Sequence, residues 1–261
     1  MTQESSWQSI ADAEKRGALT RYAFATQAKP FREFSIPDTH YPYQNDDAIA
    51  YIIDAARGAD LIILIGDDVD ADSIMKHTRA PDRKTTLYQQ ARLFREGLLV
   101  PLRKQNPNAR IVKILGNHED RLSKFIWTKA PELYDLPGVT WESILDTKEL
   151  GVEIMPGTGF LSHGKRYKHG DVALQGAGNS ARKEMLNHRV DGISGHTHRY
   201  ALVPYTDKEG RTTKWAEIGH AMDTSIGADY VKGEPDWCLS GGLEVIRGSD
   251  GTERWVEHRL Q

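Results

Sequence analysis

Residues 60–70 read Asp-Leu-Ile-Ile-Leu-Ile-Gly-Asp-Asp-Val-Asp, and residues 110–120 read Arg-Ile-Val-Lys-Ile-Leu-Gly-Asn-His-Glu-Asp. In each, a short run rich in Ile, Leu and Val stops at a glycine and is followed at once by polar, ligand-type side chains. The first run does not alternate apolar with polar, so it reads as a strand buried on both faces, the pattern of a parallel sheet covered by other layers. In open α/β sheets ligands bind beyond the C-terminal ends of the strands. Both polar clusters fall there.

The same pattern extends in both directions. Phe34 to Pro37 is a short apolar run ending in Asp38-Thr39-His40, and Asp46 to Arg57 carries Ile49, Ile52 and Ile53 at helical spacing. Thr86 to Lys104 repeats a helical face with Leu87, Ala91, Phe94, Leu98 and Leu102, and Asn106-Pro107-Asn108 stops it. Further on, Phe160 to Ser162 leads into His163-Gly164, Ser180 to His188 is helical, and Val190 to Ser194 runs into Gly195-His196-Thr197-His198. From Tyr200 strands and turns dominate, with Ser249-Asp250-Gly251 as a hairpin turn between Leu243–Ile246 and Arg254–His258. No internal repeat or low-complexity tract interrupts the chain.

Composition limits what these clusters can mean. The chain has 261 residues, 39% of them hydrophobic, enough for one large core. The reading is a single domain over 31–261 behind an N-terminal extension, 1–30, with a helix around Ser6 to Arg16. A formal charge of −3 gives no global polyanion-binding signature. Met1 to Leu19 lacks the apolar core of a secretory signal. Leu61 to Ile65 falls far short of the roughly 20 residues that span a bilayer, so no membrane association is expected. The single cysteine, Cys238, excludes an internal disulfide or an all-cysteine zinc cluster and suits a reducing cytoplasm, the expected location.

The chemistry rests on five clusters: Asp38-x-His40, Gly66-Asp67-x-x-Asp70, Gly116-Asn117-His118-Glu119, His163-Gly164 and Gly195-His196-x-His198. Each alone also reads as a tight turn, because Gly, Asp and Asn tolerate turn geometry. Together they bring carboxylates, an amide and imidazoles to successive strand ends, where they are costly unless something satisfies them. The donors are nitrogen and oxygen with no thiolate, which favours Mn, Fe, Zn, Co or Ni. Magnesium fits poorly with so many imidazoles.

These clusters, in this order and spanning Asp38 to His198, resemble the calcineurin-like metallophosphoesterase superfamily. The resemblance implies a four-layer α/β/β/α sandwich of two mixed sheets with a binuclear metal site at the C-terminal strand ends. It implies one ion on Asp38, His40, Asp67 and His198, and a second on Asp67, Asn117, His163 and His196, with Asp67 bridging them. His118 resembles the family's catalytic histidine. The implied activity is hydrolysis of phosphate mono- or diesters by a metal-bridging hydroxide. The alternatives are a nuclease acting on DNA or RNA and a metal-free interaction module on the same fold. Phosphoprotein phosphatases carry Asp-Arg-Gly after the second cluster and an arginine before Gly-Asn-His. Here Asp70-Ala71-Asp72 and Leu115 stand instead, and Gly116 to Leu122 looks more like small bacterial and bacteriophage members.

Other polar residues take plainer roles. Asp70 is expected to orient a ligand or an adjacent loop rather than to bind metal, and Glu119 and Asp120 to start a helix with acidic side chains at its positive end. His169, His188 and His220 read as ordinary polar or surface histidines, and Trp127 and Trp141 as packing residues. From Ala71 to Arg110 nine basic residues face three acidic ones. Within that segment Lys76, His77, Arg79 and Arg83 are the expected contacts to the substrate beyond its scissile phosphate, and Arg121 further on is a candidate to face the phosphate itself.

Overall fold

The computed structural model describes residues 29–76, 84–134, 136–227 and 236–260. The expected helix around Ser6 to Arg16, and His77, Arg79 and Arg83, lie outside these residues. In the first of two mixed sheets, strands β1 (Phe31–Ile36), β2 (Leu61–Leu64), β3 (Arg110–Ile114) and β4 (Val152–Met155) run parallel, side by side. The second sheet contains β5 (Phe160–Ser162), β6 (Lys165–Tyr167), β7 (Asp191–Ser194), β8 (Tyr200–Thr206) and β9 (Thr212–Ile218), in the order β5-β6-β7-β9-β8. The C-terminal hairpin, β10 (Ser240–Arg247) and β11 (Glu253–Arg259), returns to the first sheet and adds antiparallel to β1.

The unbroken apolar run of β2 is explained by its two buried faces. Ile62 and Leu64 join Phe34, Ile36 and Ile111 in a core that faces helices. Leu61, Ile63 and Ile65 join Val112 and Ile114 in a second core, where they meet Tyr167, Ile193, Ala216 and Ile218 of the other sheet. Strand side chains alternate between faces, so each residue of β2 faces one apolar layer or the other. Burying each such side chain contributes about 1.5–3 kcal/mol before chain entropy is counted.

Helices cover the outer face of the first sheet. Helix α1 (Asp46–Ala55) starts at Asn45, whose side chain accepts a hydrogen bond from the Ala48 amide, and buries Ala48, Ile49 and Ile52. Helix α2 (Leu87–Phe94) opens with a capping box between Thr86 and Gln89. It then passes through a π-helical turn, Arg95–Leu99, into α3 (Val100–Gln105). Pro101 has no amide proton to give the Gly97 carbonyl, which is a physical reason for the helix to widen there. Gly97 also lets Tyr41 approach closely, since a Cβ on it would meet the Tyr41 ring at 3.0 Å. Helix α4 (Asp120–Lys129) buries Leu122 and Ile126 against the same face. On the far side, α5 (Asn179–His188) packs Ala181 and Met185 on Trp215 of β9. The layers therefore run helices, sheet, sheet, helix. Among the described residues no helix is long and apolar enough to cross a membrane.

Candidate metal centre

Strands β1, β2 and β3 of the first sheet and the parallel pair β6 and β7 of the second end at one edge of the molecule. Beyond them stand Asp38 and His40, Asp67 and Asp70, Asn117 and His118, His169, and His196 and His198. Four of these take left-handed backbone: His40 (φ 50°), Asp67 (φ 52°), His196 (φ 70°) and His198 (φ 59°). Such conformations are uncommon for residues with a side chain and concentrate at functional sites. The glycines of the motifs make room for the carboxylates. A Cβ on Gly116 would lie 2.1 Å from Asp67 Oδ1, and one on Gly195 the same distance from Asp38 Oδ1.

The side chains form two adjacent groups of ligand type, Asp38/His40/His198 and Asp67/His169/His196. In the first, His40 Nε2 is 3.0 Å from His198 Nε2, and His198 Nε2 is 3.4 Å from Asp38 Oδ2. In the second, His169 Nε2 is 3.2 Å from Asp67 Oδ2 and 3.0 Å from Asn117 Oδ1, while His196 Nδ1 is 2.8 Å from the same Asn117 oxygen. Asn117 itself is exposed and marks the opening to solvent. A third group, His40/Asp70/His118, adjoins the first.

Hydrogen bonds on the far ring nitrogens say which nitrogen faces inward. His40 Nδ1 lies 3.1 Å from Asp70 Oδ2, and His169 Nδ1 lies 3.2 Å from the Ile65 carbonyl. These oxygens can only accept, so both rings donate from Nδ1 and, when neutral, turn a lone pair on Nε2 into the site. Those lone pairs would face other lone pairs unless a cation or a proton stood between them. Burial lowers the His198 pKa well below the usual histidine value, with His40 adding to it, and burial followed by His169 lowers that of His196. Both rings are therefore held neutral, the form that binds metal. His169 goes the other way: burial works to lower it, but the Asp67 charge and hydrogen bond outweigh burial and push it up to about 10. Asp38 is raised well above the carboxylate range by burial, against the His169 charge. Its Oδ1 is buried without a hydrogen-bond partner, while Oδ2 accepts from the His196 amide. A protonated histidine between two oxygens and an orphaned carboxylate oxygen are the marks of a site short of positive charge. Divalent cations fit it.

His118 stands apart from the two ligand groups. Its amide donates to Asp67 Oδ1 at 2.8 Å, its Nδ1 donates to the Asp70 carbonyl at 2.9 Å, and its Nε2 accepts from Arg121 at 3.1 Å. Arg121 also donates to the Asp70 carbonyl, so it sits beside the histidine, partly exposed at the mouth of the site. Lys76, exposed, ends its described segment after the single turn Asp72–Ile74 that follows the Asp70 loop.

The structure places His163 away from this cluster, and His169 occupies the place expected for it. His163 and Gly164, with φ of 47° and 77°, form the two-residue turn between β5 and β6, and the His163 ring reaches the buried Glu33 and the Phe31 ring. A two-residue loop with positive φ at both positions is a preferred hairpin connection. It reverses the chain before the parallel strand begins, so the end of β6 presents His169-Gly170 at the shared edge. The signal in the sequence was this second His-Gly pair, at the end of Lys165–Tyr167. Glu119 was also read too plainly: it is fully buried and accepts hydrogen bonds from the backbone of both neighbouring loops. His220, expected to be an ordinary polar or surface histidine, is buried beside His198 and Trp237. Trp141 is a packing residue as expected, whereas Trp127 is 56% exposed.

No known protein-family model and no curated protein sequence matches the chain. Solved structures similar to it include a Vps29 single mutant from Entamoeba histolytica, at 12% identity and a TM-score of 0.42 over 88% of this chain and all of that one. Vps29 from Chaetomium thermophilum gives 12% identity and a TM-score of 0.40 over 88% of this chain and 93% of its own.

Proposed function

We propose that the chain is a phosphoesterase that works with two divalent metal ions held at this edge. The observation that carries the reading is the pair of adjoining ligand groups, with Asn117 Oδ1 shared by His169 and His196 and Asp38 Oδ1 left without a partner. One ion would take Asp38, His40, Asp67 and His198, and the other Asp67, Asn117, His169 and His196. Asp67 is short and nearly fully buried, its amide donates to the Glu119 carboxylate and its side chain accepts from the His118 amide, so its carboxylate is fixed where it would serve both ions. Two such ions supply Lewis acidity at phosphoryl oxygens and a lowered pKa for an attacking water.

The chain's own residues account for the rest. The Asp38 and Asp67 carboxylates would only partly offset the charge of two dications, so an anionic phosphate would be favoured at the mouth, where Asn117 is exposed. His118 is oriented by the Asp70 carbonyl through Nδ1, so Nε2 is the nitrogen that would carry a proton to the leaving oxygen once Arg121 has turned away from it. Arg121, now on that nitrogen, can turn to the phosphate when substrate enters. Asp70 holds His40 through its carboxylate and His118 through its carbonyl, and so sets one ligand and the acid together.

The test is hydrolysis of aryl phosphate monoesters and diesters and of single-stranded DNA, with Mn²⁺ added, paired with metal analysis of the protein. About two ions per chain and turnover of an ester are expected. His118→Asn should keep both ions and lose rate on the order of 10²–10⁴, less for esters whose leaving group needs no proton. No bound metal after reconstitution, with no turnover, would return the chain to a metal-free interaction module.

A further inference from the structure

We propose that Lys113 is the positioning residue of this centre: through Asp68 and Glu119 its ammonium group fixes the spacing of the loops that carry Asp38 and His40, Asp67, and Asn117. This rests on the metal-centre reading for its consequence, but the arrangement itself is independent of it. Lys113 lies in β3 between Val112 and Ile114, which face the other sheet, so its side chain points into the helix-covered core. There it is fully buried. A lysine in such a place costs folding energy unless it is paired, and an apolar side chain of similar length would have filled the position.

Its partners explain the choice. Lys113 Nζ lies 2.6 Å from Asp68 Oδ2 and 2.9 Å from Glu119 Oε1, with the Phe94 ring 5.2 Å away. Glu119 in turn accepts four backbone amides. Oε1 takes those of Asp68 and Val69 at 2.9 and 3.0 Å, and Oε2 takes those of Asp67 and Gly116 at 2.9 and 2.7 Å. Asp68 accepts from Thr39 Oγ1 at 3.3 Å. One ammonium group therefore joins two carboxylates that between them grip the residue after Asp38, the Asp67 loop and the glycine before Asn117. The left-handed backbone of Asp67 is held from both sides: its amide bonds to Glu119, and its side chain bonds to the His118 amide. An ion pair serving only the core would have no need to span three loops. Removing the ammonium leaves two buried carboxylates facing each other, and the loops they hold must move apart or take up water.

The experiment compares wild-type protein with Lys113→Met and with the double variant Lys113→Met/Asp68→Asn, which removes one carboxylate along with the ammonium. Hydrogen exchange is followed without metal at the amides of Asp67, Asp68, Val69 and Gly116 and at those of β7 and β9, and Mn²⁺ affinity is measured by titration. Lys113→Met should speed exchange at the four loop amides while the second sheet stays at its wild-type rates. It should also weaken Mn²⁺ binding by about 10- to 100-fold, the range for partners that orient metal ligands. The double variant should recover part of both effects. Wild-type exchange and affinity in a folded Lys113→Met protein, or faster exchange spread evenly over both sheets, would overturn the proposal. Should Lys113→Met not fold, Asp68→Asn is read instead, with faster loop exchange expected and unchanged rates contradicting it. A wild-type protein that binds no Mn²⁺ overturns the metal reading alone, and loop exchange still decides the role of Lys113.

Discussion

At the scale of single residues, the choice between two histidines six positions apart separates this account from its nearest competitor. His169 is nearly fully buried with Nε2 between Asp67 and Asn117, whereas His163 is 38% exposed and bonded to Glu33. His169→Asn should therefore lose turnover by at least about 100-fold, the upper end of what removing an outer partner costs, together with part of its metal. His163→Asn should keep near-wild-type turnover and metal content, both read by ester hydrolysis and elemental analysis. The reverse ranking would mean that the hairpin histidine reaches the site. Most of the site was readable from side-chain chemistry, because Asp38, His40, Asp67, Asn117, His196 and His198 each follow a strand the sequence marks clearly. His169 was not. Its strand has three residues, two of them basic, and carries no apolar run to announce it. Glu119 was hidden for another reason, since an acidic residue at a helix start has an ordinary explanation in the helix dipole.

At the scale of elements, strands with an unbroken apolar run or a turn signal beside them were legible, and the short, charge-interrupted strands β4 and β6 were not. The runs of β2 and β3 are rich in Ile, Leu and Val because every side chain in them except that of Arg110 is buried. Edge strand β4 reads Val-Glu-Ile-Met, with Glu153 paired to Arg110 at the surface, and lacks that signature. The widening of the long helix at Arg95–Leu99 was also not read, although Pro101, which has no amide proton for the Gly97 carbonyl, stands in the sequence. Strand β7 offers a pH test away from the candidate metal ligands. Asp191, at its start, accepts from the Lys214 amide, and burial raises its pKa, with Glu253 adding to the effect and the amide opposing it. A carboxyl raised in the fold contributes stability that is full below its unfolded pKa, about 3.9, and is lost as pH rises through the folded value. Asp191→Asn keeps an acceptor for the amide without the charge. Its Tm should exceed that of wild type at pH 7, and the difference should close as pH falls toward 3.5. A gap independent of pH would show that the Asp191 charge is not what the fold opposes.

At the scale of the molecule, the site exists because two sheets pack with their parallel strand ends at one edge. Neither sheet could build it alone: the first contributes Asp38, His40, Asp67 and Asn117, and the second His169, His196 and His198. Ions bound there would join the sheets, so metal should raise stability as any ligand of the native state does, by about 2.7 kcal/mol at a hundredfold excess over Kd. The claim on which the rest depends is the number and place of those ions, and anomalous scattering from crystals grown with Mn²⁺ measures both. Two peaks are predicted, one on Asp38, His40 and His198 and one on Asn117, His169 and His196, with Asp67 touching both and His163 touching neither. A single peak, a peak on His163, or none at saturating Mn²⁺ would contradict the account.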